Sequence, residues 1–100
     1  MNRFSTNKLK NGLPYVFIPL AGAPSATILF MVRTGSKYET RQLSGLSHFL
    51  EHMFFKGTAK RPRTIDIAGE LDALGAVFNA FTSKEYTGYY IKVDKKKINT

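Results

Sequence analysis

The chain has 100 residues, a net charge of +8 and no cysteine, which excludes disulfides and thiolate metal sites. A hydrophobic share of 43% with 13% aromatics marks a folding chain rather than a disordered one, and no apolar run reaches the roughly 18–20 residues of a membrane span. The positive residues are scattered apart from Lys95-Lys96-Lys97 and read as solvated surface, so neither nucleic acid nor a membrane is expected as a partner.

Residues 8–10 and 13–18 flank Asn11-Gly12, the usual two-residue hairpin connection. The same region imitates a signal peptide, with Lys8 and Lys10 before an apolar run and Ala21-Gly22-Ala23 after it. Pro14 and Pro19 interrupt that run, so a first strand of the mature fold is expected. A cytoplasmic location follows, with a periplasmic or secreted one as the alternative. Residues 19–24 form a loop. Residues 25–34 are nearly continuously apolar and β-branched, the pattern of a strand covered on both faces. Gly35-Ser36 ends it, and residues 37–43 are polar loop.

Ser44 as N-cap and Gly57 as C′ bound a helix. A basic connector over residues 56–63 leads to Thr64, the expected cap of a second helix over residues 65–74 that stops at Gly75. Residues 76–82 and 86–93 are β-rich and joined by Ser83-Lys84-Glu85 as a hairpin. Gly88 is a natural place for a bulge, and Tyr86, Tyr89 and Tyr90 read as packing residues. The order β-β-α-α-β-β gives an α+β fold class: an antiparallel-rich mixed sheet packed against helices. There are no repeats and no linker that would split domains.

The first of these helices carries Ser47-His48-Phe49-Leu50-Glu51-His52-Met53-Phe54. With His48 at 0°, His52 falls at about 40° and Glu51 at about 300° on the helical projection, so the three share one arc. Leu46, Phe49, Leu50, Met53 and Phe54 cover the opposite side, and Phe55 intrudes on the polar one, where it either walls a pocket or packs on a strand. Two neutral imidazoles one turn apart suit Zn²⁺, and a neighbouring carboxylate suits proton transfer from a zinc-activated water that attacks a carbonyl. Glu51 precedes the second histidine, the inverse of the H-E-x-x-H order, and either order leaves the carboxylate off the metal. Catalytic zinc usually takes three protein ligands. No further His or Cys exists, so the third is an acid of the chain (Glu39, Asp66, Glu70, Asp72, Glu85 or Asp94) or lies outside it. A solvent-exposed polar helix face is the plainer alternative.

These residues, with Asn11-Gly12-Leu13, Gly35-Ser36, Glu39, the run from Gly45 to Thr58, Leu74-Gly75-Ala76, Asn79-Ala80-Phe81-Thr82-Ser83 and Glu85-Tyr86-Thr87, give the chain a resemblance to the N-terminal part of M16-family metallopeptidases, the inverzincins. The resemblance covers essentially the whole chain. It implies a fold of the LuxS/MPP-like metallohydrolase type and a zinc-dependent metalloendopeptidase acting on extended peptides. It also implies His48 and His52 as zinc ligands, Glu51 as general base, and a third ligand, a glutamate, beyond Thr100. Residues 79–82 are implied as a strand edge to which peptide adds, making Asn79, Ala80 and Phe81 substrate-binding. Without the resemblance, Asn79 reads as a bend residue in an interior hairpin strand. By the same resemblance residues 1–100 are the N-terminal portion of a peptidase domain, with the rest of that domain and any C-terminal domain absent, and the partners are a downstream domain or a second M16-type subunit. A non-catalytic structural or peptide-presenting subunit is the alternative.

Overall fold

The computed structural model describes residues 3–100. Its elements in chain order are β1 (Ser5–Lys8), β2 (Pro14–Phe17), β3 (Ser25–Val32), α1 (Leu46–Met53), α2 (Thr64–Ala73), β4 (Val77–Thr82) and β5 (Thr87–Asp94). That is one strand more than the β-β-α-α-β-β order read from the sequence, which counts the amino-terminal hairpin once; its first arm is a separate strand and lies earlier than expected, at Ser5–Lys8. All pairings among the described residues are antiparallel: β1 with β2, and a three-stranded sheet in the order β3-β5-β4.

The first hairpin forms, but not through a two-residue turn. Lys8 pairs with Pro14, the Leu9 N–H donates to the Leu13 carbonyl, and the Gly12 N–H donates to the Leu9 carbonyl. Gly12 alone takes a positive φ, of 87°, whereas the two-residue connection needs it at Asn11 as well. The Asn11 side chain instead accepts from the Leu13 N–H at 3.0 Å. A longer loop closed by glycine results.

Helix α1 ends sooner than its sequence boundaries suggest. Its N-cap is Gly45, in the left-handed region at φ 85°, rather than Ser44. Beyond Met53 the chain winds on through shorter-range bonds, from the Phe55 N–H to the His52 carbonyl and from Lys56 to Met53, before Gly57. Helix α2 ends as expected. Gly75, at φ 65°, donates to the Asp72 carbonyl and Ala76 to that of Leu71, the paired bonds of a Schellman motif. At its start Arg63 is the N-cap and Thr64 the first helical residue, with the Asp66 carboxylate accepting from the Arg63 N–H at 2.9 Å.

Cross-strand register puts Phe78, Ala80 and Thr82 of β4 on one face with Ile91, Tyr89 and Thr87 of β5. Against this face lie α1 and the turn that follows it, where Phe55 stacks on Phe78 at 6.0 Å and Phe54 meets Tyr89 edge-on at 5.2 Å. Phe55 therefore packs on a strand rather than walling a pocket. Gly88 makes no bulge, pairing in regular register with Phe81 and Met31. Its missing side chain leaves room for the Phe81 ring, which would come within 2.2 Å of a Cβ there.

The sequence pattern of β3 suggested cover on both faces. In the structure β3 is an edge strand, and Ile28, Leu29, Phe30, Met31 and Val32 are all exposed. The apolar stripe of α1, including Leu46, Phe49, Leu50 and Met53, is exposed as well. Among the described residues no hydrophobic side chain is fully buried. The radius of gyration of 15.8 Å correspondingly exceeds the roughly 13 Å of a compact 100-residue domain.

Candidate metal centre

The site begins where β3 leaves the sheet. Residues 36 and 37 run beside the β4–β5 turn, with the Ser36 N–H donating to the Ser83 carbonyl at 3.3 Å and the Lys37 N–H to that of Lys84 at 2.8 Å. This approach requires glycine at position 35, since a Cβ there would lie 2.3 Å from the Ser83 carbonyl oxygen. The chain then turns through a short 3₁₀ segment, Ser36–Tyr38, and brings Glu39 to the amino end of α1.

On α1 the two histidines stand one turn apart, with ring centroids 4.7 Å apart and their Nε2 atoms 2.9 Å apart. Two nitrogens on one tetrahedral zinc, each 2.0–2.1 Å from it, lie roughly 3.3 Å apart. The pair is thus a few tenths of an ångström from ligand spacing, with the same nitrogen of each ring converging. The residues fit a zinc ion as two of its ligands. Glu51 points elsewhere, toward the sheet, where the Thr82 hydroxyl donates to its Oε2. His48, Glu51 and Thr82 line a cleft of about 430 Å³ with Ser36, Ser83 and Lys84. Tyr89 lies near enough to Glu51 that burial first, and the charge of Glu51 second, push its phenol above the ordinary range.

Among the described residues no group of three or more His, Cys, Asp or Glu side chains forms a metal site. The acids considered as a third ligand are mostly committed elsewhere. Glu39 accepts from the N–H groups of Gly45 and Ser47; Asp66, Glu70 and Glu85 pair with Arg63, Arg61 and Lys37; Asp94 accepts from the Lys96 N–H.

Asn79, Ala80 and Phe81 do not line the cleft. Asn79 is exposed on the sheet face away from α1, and its Oδ1 accepts from the Ala80 N–H at 2.8 Å. Phe81 lies over Gly88 and meets Tyr86 edge-on at 6.2 Å. What these three share is an edge, because among the described residues β4 pairs only with β5. Thr82, expected only as part of the peptide-binding edge, instead holds Glu51, and Glu39, a candidate ligand by sequence, clamps the helix end. For Thr82 a signal existed: strand alternation sets it on the face of Ala80, the face that meets α1.

Fold and site together define a class: an α+β chain whose H-x-x-E-H helix lies on an antiparallel sheet. The chain belongs to the M16 peptidase family, whose model, described as Insulinase (Peptidase family M16), matches residues 15–100. It is 49% identical over 73 residues to the mitochondrial-processing peptidase subunit beta of Dictyostelium discoideum, covering 73% of this chain and 16% of that protein. It is 48% identical over 84 residues to the uncharacterized zinc protease YmxG of Bacillus subtilis, covering 84% of this chain and 20% of the relative. A crystal structure of a protease from Helicobacter pylori superposes with a TM-score of 0.86 at 31% identity, over 95% of this chain and 23% of that one. The chain thus spans about a fifth of the length of the proteins it matches. Among the described residues no helix is long and apolar enough to cross a membrane.

Proposed function

We propose that this chain carries the zinc-ligating and proton-transferring elements of a metalloendopeptidase of the inverted H-x-x-E-H type. One observation carries the reading: the Nε2 atoms of His48 and His52 converge to 2.9 Å while Glu51, between them in sequence, is held off by Thr82. Its relatives' names, zinc protease and processing peptidase, support it. A zinc ion held by His48 and His52 would supply Lewis-acid polarisation and acidify water toward neutral pH. Glu51 accepts the proton of the attacking water and returns it to the leaving amine. Thr82 fixes the carboxylate orientation for both transfers.

The third ligand is proposed to come from outside these hundred residues. The exposed apolar surfaces of β3 and α1 support a missing remainder of the domain, since patches of this kind are normally covered. A downstream domain or a second subunit of the same family closes the site, in keeping with a relative that is itself named as a subunit. The substrate is an extended peptide added as a strand along the open edge of β4. There an incoming carbonyl takes over the Ala80 N–H now held by Asn79, while Phe81 supports the strand from the opposite face. The hundred residues alone are expected to be inactive or nearly so.

The test uses the polypeptide extended through whatever follows Thr100. It should bind one zinc, hydrolyse unstructured peptides, lose activity to a chelator and regain it with zinc. Glu51→Gln should retain the metal and lose hydrolysis. Full hydrolysis by Glu51→Gln would refute the base assignment. Zinc binding without hydrolysis of any peptide would favour a structural or peptide-presenting subunit.

A further inference from the structure

We propose that Glu39 is a positioning residue for the ligand pair: from outside the helix, its carboxylate clamps the first turn of α1 and so sets where His48 stands relative to His52. The inference rests on the reading of those histidines as metal ligands.

The need for a clamp follows from the size of the helix. Helix α1 has eight residues, with His48 third and His52 seventh. Both histidines therefore lie in terminal turns, where helices fray, and a helix this short is not stable by itself. Its apolar stripe is exposed among the described residues, and the contacts of Phe54, Phe55 and Glu51 lie in and beyond its second half, so within the first turn only Ser47 is buried.

Nor does the helix cap itself. The N-cap is glycine, with no side chain to satisfy the free N–H groups of the first turn. Glu39 supplies one oxygen to each of two donors, Oε1 to the Gly45 N–H at 2.7 Å and Oε2 to the Ser47 N–H at 2.8 Å. These are charge-assisted bonds, and the negative charge sits at the favourable end of the helix dipole. Among the described residues Glu39 makes no ion pair, unlike Asp66, Glu70 and Glu85. Its charge is spent on the helix.

The clamp is referenced to the rest of the site. Ser47, directly before His48, is only 5% exposed, and its hydroxyl lies 3.4 Å from that of Thr34. The Thr34 carbonyl in turn accepts from the hydroxyl of Thr87, 1% exposed, at 3.1 Å. Glu39 itself follows the segment that Gly35 lets dock on Ser83 and Lys84, and Thr82, next in the chain, holds Glu51. The base and the first ligand are therefore both set from the β4–β5 turn, one through Thr82 and the other through Glu39.

The experiment compares wild type, Glu39→Ala, Glu39→Gln, His48→Ala and the distant control Glu70→Gln in the polypeptide extended beyond Thr100. Zinc affinity is measured by chelator competition, the ligand field by the visible spectrum of the cobalt-substituted protein, and folding by thermal melting without metal. Glu39→Ala should weaken zinc binding by about tenfold, the equivalent of losing a helix cap, and should alter the cobalt spectrum. Glu39→Gln keeps one acceptor oxygen and should recover part of both. If Glu39→Ala does not fold, Glu39→Gln carries the comparison against wild type by the same two readouts. Glu70→Gln should match wild type. Unchanged zinc affinity and cobalt spectrum in a folded Glu39 variant, while His48→Ala loses the metal, would overturn the positioning role alone. A wild type that binds no zinc, or binds it equally after His48→Ala, would overturn the ligand assignment and this inference with it.

Discussion

Replacing Thr82 with valine removes one hydroxyl and keeps the β-branched shape of the strand residue. That hydroxyl is the donor that holds Glu51 Oε2 toward the sheet. A hydrogen bond to a charged group contributes about 1.5–3 kcal/mol. Both residues are only half-buried, so the lower end applies, about 1.5 kcal/mol after solvent screening. At 1.36 kcal/mol per factor of ten, hydrolysis should fall about tenfold. Because Glu51 is assigned to proton transfer rather than to holding substrate, the loss should appear in kcat with KM nearly unchanged. Steady-state cleavage of a quenched fluorogenic peptide by the polypeptide extended beyond Thr100 measures both constants, and Thr82→Ser should restore kcat. A folded Thr82→Val protein with unaltered kcat would refute the orienting role. A loss confined to KM would make Thr82 a wall of the cleft instead.

Two further outcomes follow from the same contacts. Gly35→Ala should destabilise the fold by about 1–3 kcal/mol through overpacking, seen as a lowered melting temperature, because the new Cβ meets the backbone of Ser83 and Lys84, which cannot rotate away. The φ of Gly35 is 171°, ordinary extended backbone, so a neutral result would refute the close approach itself. For Glu39, the Ser47 hydroxyl, then the Ser47 N–H and the Gly45 N–H, hold the carboxyl below its ordinary value of 4.5. A folded value below the unfolded one means that the clamp's contribution is complete above 4.5 and is lost as pH falls through the lowered folded value. Hydrogen-exchange protection at Gly45 and Ser47, corrected for intrinsic rates, should collapse over that acidic range in wild type. Glu39→Gln should lack the step, and its persistence there would count against the carboxylate as its source.

The helix of the candidate metal site was legible because its information is local. Its histidines and glutamate share an arc by helical period alone, and Gly75 stops α2 by the only backbone conformation that suits it there. The amino-terminal boundary of α1 was not legible in the same way: Ser44 has the residue type of a cap, but the N-cap is Gly45 and the capping acceptor is Glu39, on the preceding loop. The exposure of β3 among the described residues was not legible, because a continuous apolar run states only that both faces avoid water, and nothing about which residues cover them. Asn11-Gly12 carried a turn signal without the loop length, which the pairing of Lys8 with Pro14 sets.

By itself the sequence determined an antiparallel α+β chain, family membership, and a helix able to present two imidazoles and a carboxylate together, since each follows from short-range periodicity or a matched motif. Only the tertiary structure decided that Glu51 leans on Thr82, that Gly35 lies against Ser83, and that Glu39 belongs to the helix end. The first two join residues far apart in the chain through strand register and docking, and the third spans six to eight residues of irregular loop; no periodic pattern encodes either.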